Sequence, residues 1–109
     1  MYEYQAVVTG VYDGDSITVD VDLGMRVWLH KQKLRLSEID AKSIKGAERE
    51  SGLAARDFLR SLVLGKKIVI RTKKDAKEKY GRWLAEIELD GAVVNELMLS
   101  SGHAAEYSR

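Results

Sequence analysis

The sequence contains no cysteine and no proline. Without cysteine there can be no disulfide framework and no thiolate metal site, so a zinc finger is excluded. With no proline, no low-complexity tract and no internal repeat, nothing marks a linker. No apolar run approaches the roughly 20 residues of a membrane-spanning helix, so no membrane partner is expected. The opening Met1-Tyr2-Glu3-Tyr4 lacks the charged start and apolar stretch of a signal peptide. A cytoplasmic location is the expectation for the chain as given; a leader removed from a longer precursor would leave no trace. Strong charge is lacking too. The formal net charge is +1, so composition does not announce a nucleic-acid binder and any basic surface must be local.

What is present suits one domain over residues 1–109, with 45% hydrophobic residues to supply a modest core. Val7, Val8, Val11 and Tyr12 lead into a turn at Asp13-Gly14-Asp15. Ile17, Val19 and Val21 then alternate with polar residues, the pattern of a half-buried strand. Leu23-Gly24 marks a second turn, and 26–36 reads as a third strand through Val27, Leu29, Leu34 and Leu36. Residues 41–49 are polar, include Gly46, and read as a loop. From 50 to 64 the period becomes helical, with Leu53, Ala54, Phe58, Leu59 and Leu62 on one stripe and Gly65 as the stop. Residues 66–72 return to strand, 73–79 are charged, and 83–89 form a fifth strand with Trp83, Ala85, Ile87 and Leu89 on one face. Asp90-Gly91 is a strong turn signal, and 93–100 reads as a short helix ended by Gly102. The order matches a five-stranded OB barrel with one helix between strands three and four and a short C-terminal helix. It leaves the spatial order of the strands open, and a β-rich α+β sandwich reads similarly.

Four separated pieces carry the polar residues of interest: Asp13-Gly14-Asp15, the segment 35–40, the pair Tyr80 and Arg82, and Tyr107. Each alone has a plain structural reading. An Asp-Gly-Asp turn is usually just a turn, Arg35 a solvated strand residue, and Tyr80-Gly81-Arg82 a hairpin with an aromatic edge. As an ordered set they read Val11-Tyr12-Asp13-Gly14-Asp15-Ser16-Ile17-Thr18-Val19, Leu34-Arg35-Leu36-Ser37-Glu38-Ile39-Asp40, Lys79-Tyr80-Gly81-Arg82-Trp83-Leu84-Ala85, and Asp90-Gly91 with Val94-Asn95-Glu96. This set closely resembles the staphylococcal nuclease (thermonuclease) family, in the family's order and at about its spacing, from about Gln5 to Tyr107.

The resemblance implies a Ca²⁺-dependent nuclease, a phosphodiester hydrolase with DNA or RNA as partner. Asp15 and Asp40 correspond to the two carboxylates that bind Ca²⁺. The backbone oxygen of Ala41 stands where the family supplies a third ligand, and Asp13 resembles a carboxylate just behind that site. Hard cations take such oxygen ligands. Arg35 and Arg82 are similar to the two guanidiniums that grip the scissile phosphate, where planar forks match the charge building on its oxygens. Tyr80 is similar to the family tyrosine that hydrogen-bonds the terminal phosphate. Tyr107 corresponds to a second such tyrosine, with spacing about one residue short after Gly102.

The pattern departs from the family at one place. After its second metal aspartate the family has a small residue, Pro and then Glu, and that Glu orients or deprotonates the attacking water. Here the text is Asp40-Ala41-Lys42-Ser43, so Ser43 stands at the catalytic glutamate position and is a poor base near neutral pH. Three readings follow. Glu48, Glu50 or Glu38 takes over as base; the enzyme is slow, with Ser43 only holding a water; or catalysis is lost and the barrel binds nucleic acid or protein, as in Tudor–nuclease fusions. Larger family members also continue into a further C-terminal helix that packs on the barrel, so a monomer or a weak homodimer is expected here. His30 and His103 read as surface or capping residues and Trp28 as hairpin packing. The basic run Lys66, Lys67, Arg71, Lys73 and Lys74 reads as a solvated edge, with a phosphate-tracking groove as the alternative.

Overall fold

A computed structural model describes residues 2–77 and 81–107. The first strand, β1 (Tyr2–Asp13), is long enough to serve two neighbours. It turns at Gly14 into the antiparallel β2 (Ser16–Asp22), and β2 turns in the same sense into β3 (Trp28–Leu36). On its other edge β1 pairs antiparallel with β5 (Lys67–Lys77), which pairs with β6 (Trp83–Leu89). The decisive contact is parallel. Leu34, Arg35 and Leu36 of β3 run beside Trp83, Leu84 and Ala85 of β6 and close the sheet into a barrel. Five long strands thus form a closed mixed barrel, and closure removes the exposed sheet edges that an open sheet would carry.

The alternation seen in the sequence becomes the inner wall. Ile17, Val19, Val21, Leu34, Leu36, Ile68, Ile70, Ala85 and Ile87 are all buried, as a period of two on a half-buried strand requires. After β6, Asp90 and Gly91 both take positive φ (50° and 84°), the turn that suits a right-twisted hairpin. It returns the chain through the two-residue β7 (Ala92–Val93) into α2 (Val94–Ser100). Residues 41–49, expected to be a loop, are more ordered than that. Ala41 ends a short strand β4 (Ile39–Ala41), and Gly46–Glu48 make a 3₁₀ turn before α1 (Arg49–Val63). The partner of β4 is β8 (Ala104–Glu106), too short to be seen as periodicity. The charged stretch after Thr72 extends β5 to Lys77; Lys79 and Tyr80 lie outside the described residues.

The face of α1 differs from the expected stripe. Gly52, Ala55, Leu59 and Val63 are buried, Phe58 and Leu62 flank them, Leu53 is half-buried and Ala54 is exposed. The helix is rotated toward its small residues because backbone packs against it there. A Cβ on Gly14 would stand 2.8 Å from the Cβ of Ala55 and 2.7 Å from that of Ala41, and one on Gly52 would stand 2.0 Å from the carbonyl oxygen of Ser43. Those close approaches press the Asp13–Asp15 turn, β4 and the 42–45 segment onto one end of the helix.

Candidate active site

The turn between β1 and β2 projects Asp13 and Asp15 at one end of the barrel. Asp13 Oδ1 accepts from the Asp15 N–H (3.1 Å), a local bond that bends the chain and orients the second carboxylate. Asp15 is 5% exposed, and both its oxygens have partners. Oδ1 accepts from the Ser16 hydroxyl (3.1 Å) and Oδ2 from the Ala41 N–H (3.0 Å), which ties the turn to β4. Burial, followed by the adjacent Asp15 carboxylate, pushes the Asp13 carboxyl up from 3.8 to about 6. Burial disfavours the charged form of Asp13, and the neighbouring Asp15 carboxylate adds to that effect.

Arg35 leaves the outer face of β3, opposite to the buried Leu34 and Leu36. Its Nη2 lies 3.6 Å from Asp15 Oδ2 and 3.3 Å from Asp40 Oδ1, and it donates to the Ile39 carbonyl at 3.1 Å. One nitrogen therefore faces both aspartates. Their oxygens lie within the sum of those two distances, although the residues are far apart in sequence. The guanidinium also stacks on Tyr107, with its carbon 4.8 Å from the ring centroid, a cation–π contact. Tyr107 reaches that place because β8 pairs with β4 and the Tyr107 N–H donates to the Glu38 carbonyl (3.0 Å). Arg82, just before β6, donates from Nη1 to the Ser16 hydroxyl at 2.7 Å.

The structure thus gathers Asp13, Asp15, Arg35, Asp40, Ala41, Arg82 and Tyr107 into one cluster, while Tyr80 lies outside the described residues. Ser43 is exposed, and its hydroxyl accepts from the Lys45 N–H (3.1 Å), so it braces its own loop. Glu48, one candidate substitute base, is engaged by Lys42 at 3.2 Å on the surface. Two residues without an assigned role in the sequence reading hold the site together. Ser16 joins Asp15 to Arg82. Asn95 of α2, 6% exposed, accepts from the Ile87 N–H (2.9 Å) and donates to the Ser37 and Ala85 carbonyls (3.0 and 3.2 Å), fixing the bend between Arg35 and Asp40. A polar residue on a short amphipathic helix, next to buried Val94, was the available signal for Asn95.

Every group in the donor set is an oxygen, which suits a hard cation. Among the described residues no three acidic or imidazole side chains form a cage, so backbone oxygen and water would have to complete a shell begun by Asp15 and Asp40. A concavity of about 350 Å³, lined by Tyr4, Leu34, Gln32 and Trp83 among others, lies in the apolar barrel mouth and includes none of the charged cluster. Asp40 and Tyr107 open instead to solvent. Among the described residues no helix is long and apolar enough to cross a membrane.

Comparison with known proteins gives a consistent picture. A family model described as "Staphylococcal nuclease homologue" matches residues 33–109. The chain is 28% identical over 115 residues to "Endonuclease YhcR" of Bacillus subtilis (strain 168), covering 96% of this chain and 9% of that protein. It is 35% identical over 100 residues to an uncharacterized protein of Bacillus anthracis, covering 88% of this chain and 44% of the other. The chain therefore spans less than half of either relative.

Proposed function

The chain belongs to the staphylococcal nuclease homologues, and from that premise we propose that it is a Ca²⁺-dependent phosphodiesterase, an endonuclease acting on DNA or RNA. Its turnover is reduced because Ser43 replaces the general base. The observation that carries the reading is the meeting of Asp15, Asp40, Arg35 and Arg82, drawn from three distant parts of the chain, in one polar cluster.

In this reading Arg35 and Arg82 grip the scissile phosphate. Hydrolysis adds a water oxygen to phosphorus and breaks one P–O ester bond, and the departing oxygen leaves with a proton. Negative charge spreads over the equatorial oxygens as this happens, and two fixed guanidiniums stabilise it most at that moment. Arg35 is held against Tyr107 and the Ile39 carbonyl, so little reorganisation is needed. Asp15, Asp40 and the Ala41 carbonyl would hold Ca²⁺, with Asp13 behind them. The cation would supply charge neutralisation and polarisation of the phosphate. Tyr80 and Tyr107 hydrogen-bond the terminal phosphate of the substrate in this reading, and the Tyr107 ring lies against Arg35.

A second reading, a nucleic-acid or protein binding module without hydrolysis, is favoured by Ser43 alone. Its hydroxyl is committed to the Lys45 N–H, and no activated base stands in its place. One assay separates the two. Single-stranded DNA or RNA is incubated with the protein and Ca²⁺, beside Ser43→Glu and Arg82→Ala. Slow cleavage that a chelator abolishes, that Arg82→Ala lowers sharply but measurably, and that Ser43→Glu raises by on the order of 10²–10⁴, establishes the enzyme. Tight binding without cleavage in either the wild type or Ser43→Glu leaves the binding module.

A further inference from the structure

We propose that Ser16 is a positioning residue whose hydroxyl locks the Arg82 guanidinium to the Asp15 carboxylate. The two phosphate-facing arginines are thereby held at a fixed spacing on a single acidic anchor. The proposal deepens the phosphodiesterase reading and rests on it for the catalytic consequence, though not for the bridge itself.

The polarity of the bridge is forced by chemistry. A guanidinium is only a donor, so in the 2.7 Å contact the Ser16 oxygen must accept from Arg82 Nη1. Its single hydrogen is then available to the Asp15 oxygen 3.1 Å away. Ser16 is 5% exposed, which keeps water from competing for either bond. Its place follows from register. Ser16 is the first residue of β2 and sits opposite Arg35 of β3, while Arg82 directly precedes the β6 residue that pairs with Leu34. Three strands converge there, and Ser16 is the side chain between them.

Asp15 thus serves two guanidiniums through different oxygens. Oδ2 faces Arg35 at 3.6 Å, and Oδ1 reaches Arg82 through the serine. Arginine has many rotamers, and a gripping geometry depends on restricting them. Arg35 has Tyr107, Asp40 and the Ile39 carbonyl for that purpose. For Arg82 the Ser16 hydroxyl is one such restraint. A threonine here would preserve the bridge, because a β-branched hydroxyl suits a strand, whereas alanine or valine would abolish it.

The test uses Ser16→Thr and Ser16→Val, nearly equal in shape and differing in the hydroxyl, with Ser16→Ala as a third variant. Nitrogen-15 NMR of the arginine side chains reads the bridge without any need for catalysis. Slower Arg82 Nη rotation is expected in the wild type and Ser16→Thr than in Ser16→Val. Identical Arg82 signals in wild type and Ser16→Val overturn the proposal. In the cleavage assay Ser16→Val should lose roughly 10–100-fold in kcat with KM little changed, as a small misplacement of a gripping group does. The same substitution should lose nothing further in an Arg82→Ala background. A loss that persists undiminished in that background also overturns it. A wild type that does not cleave sinks the phosphodiesterase reading, while the NMR comparison still decides the bridge.

Discussion

Replacing Gly52 by alanine tests the packing that holds the site against α1. In an exposed helix interior this change stabilises by about 1 kcal/mol, because alanine loses less backbone freedom on folding. At this position the new Cβ would stand 2.0 Å from the Ser43 carbonyl oxygen, 2.4 Å from its carbon and 2.8 Å from the Ile44 nitrogen. All three are backbone atoms and cannot rotate aside. The 42–45 segment must retreat by more than an ångström. Overpacking of this kind costs about 1–3 kcal/mol, and the upper end applies where backbone must move. The net result is a destabilisation of about 2 kcal/mol, which lowers the melting temperature by roughly 10 °C in a chain of this size. Thermal and urea unfolding of Gly52→Ala beside Ser51→Ala, an exposed neighbour on the same helix, provide the measurement. Ser51→Ala should shift the midpoint slightly upward. Because Ala41 binds Asp15 just before the displaced segment, cleavage should fall as well. A Gly52→Ala protein more stable than wild type by the helix-propensity amount would refute the reasoning.

Further expectations concern charge and hydrogen bonding. The Asp13 carboxyl titrates at about 6 in the fold against 3.8 when unfolded, so the fold favours its protonated form. That stabilisation is complete below pH 3.8 and lost as the pH rises through 6. In chelator-containing buffer the wild-type melting temperature should therefore fall relative to Asp13→Asn between pH 4 and 7, since Asn keeps the acceptor for the Asp15 N–H; parallel curves would contradict the assignment. Asn95→Ala strands the Ile87 N–H and the Ala85 and Ser37 carbonyls, and should cost about 3 kcal/mol by chemical unfolding. Arg35→Lys loses the planar fork and should lower kcat by about 10²–10³, with the far-UV spectrum unchanged.

Much of this molecule is legible in the sequence because its signals are local. Ile17, Val19 and Val21 alternate because one strand face is buried. Asp90-Gly91 turns because both residues tolerate positive φ, and Gly65 stops α1. The ordered set from Asp13 to Arg82 identified the family, and its break at Ser43 is visible without coordinates. The expected stripe of α1 holds at Phe58, Leu59 and Leu62 and fails at Ala54, because ranking by apolar size overlooks small buried residues. The surface in fact buries Gly52 and Ala55, which are small because other backbone passes close by.

What only the tertiary structure decided is what depends on contacts between distant residues. The parallel pairing of Leu34–Leu36 with Trp83–Ala85 closes the barrel, and no periodicity encodes which strand meets which. The β4–β8 ladder, three residues on each side, is too short to carry a pattern, yet it brings Tyr107 under Arg35. The bridge from Asp15 through Ser16 to Arg82 joins residues 66 positions apart at its far end. By itself the sequence determined which chemical groups exist and which faces are apolar. The closure of the barrel determined which of those groups meet, because distance and burial, and hence the strength of every polar contact, are set by packing.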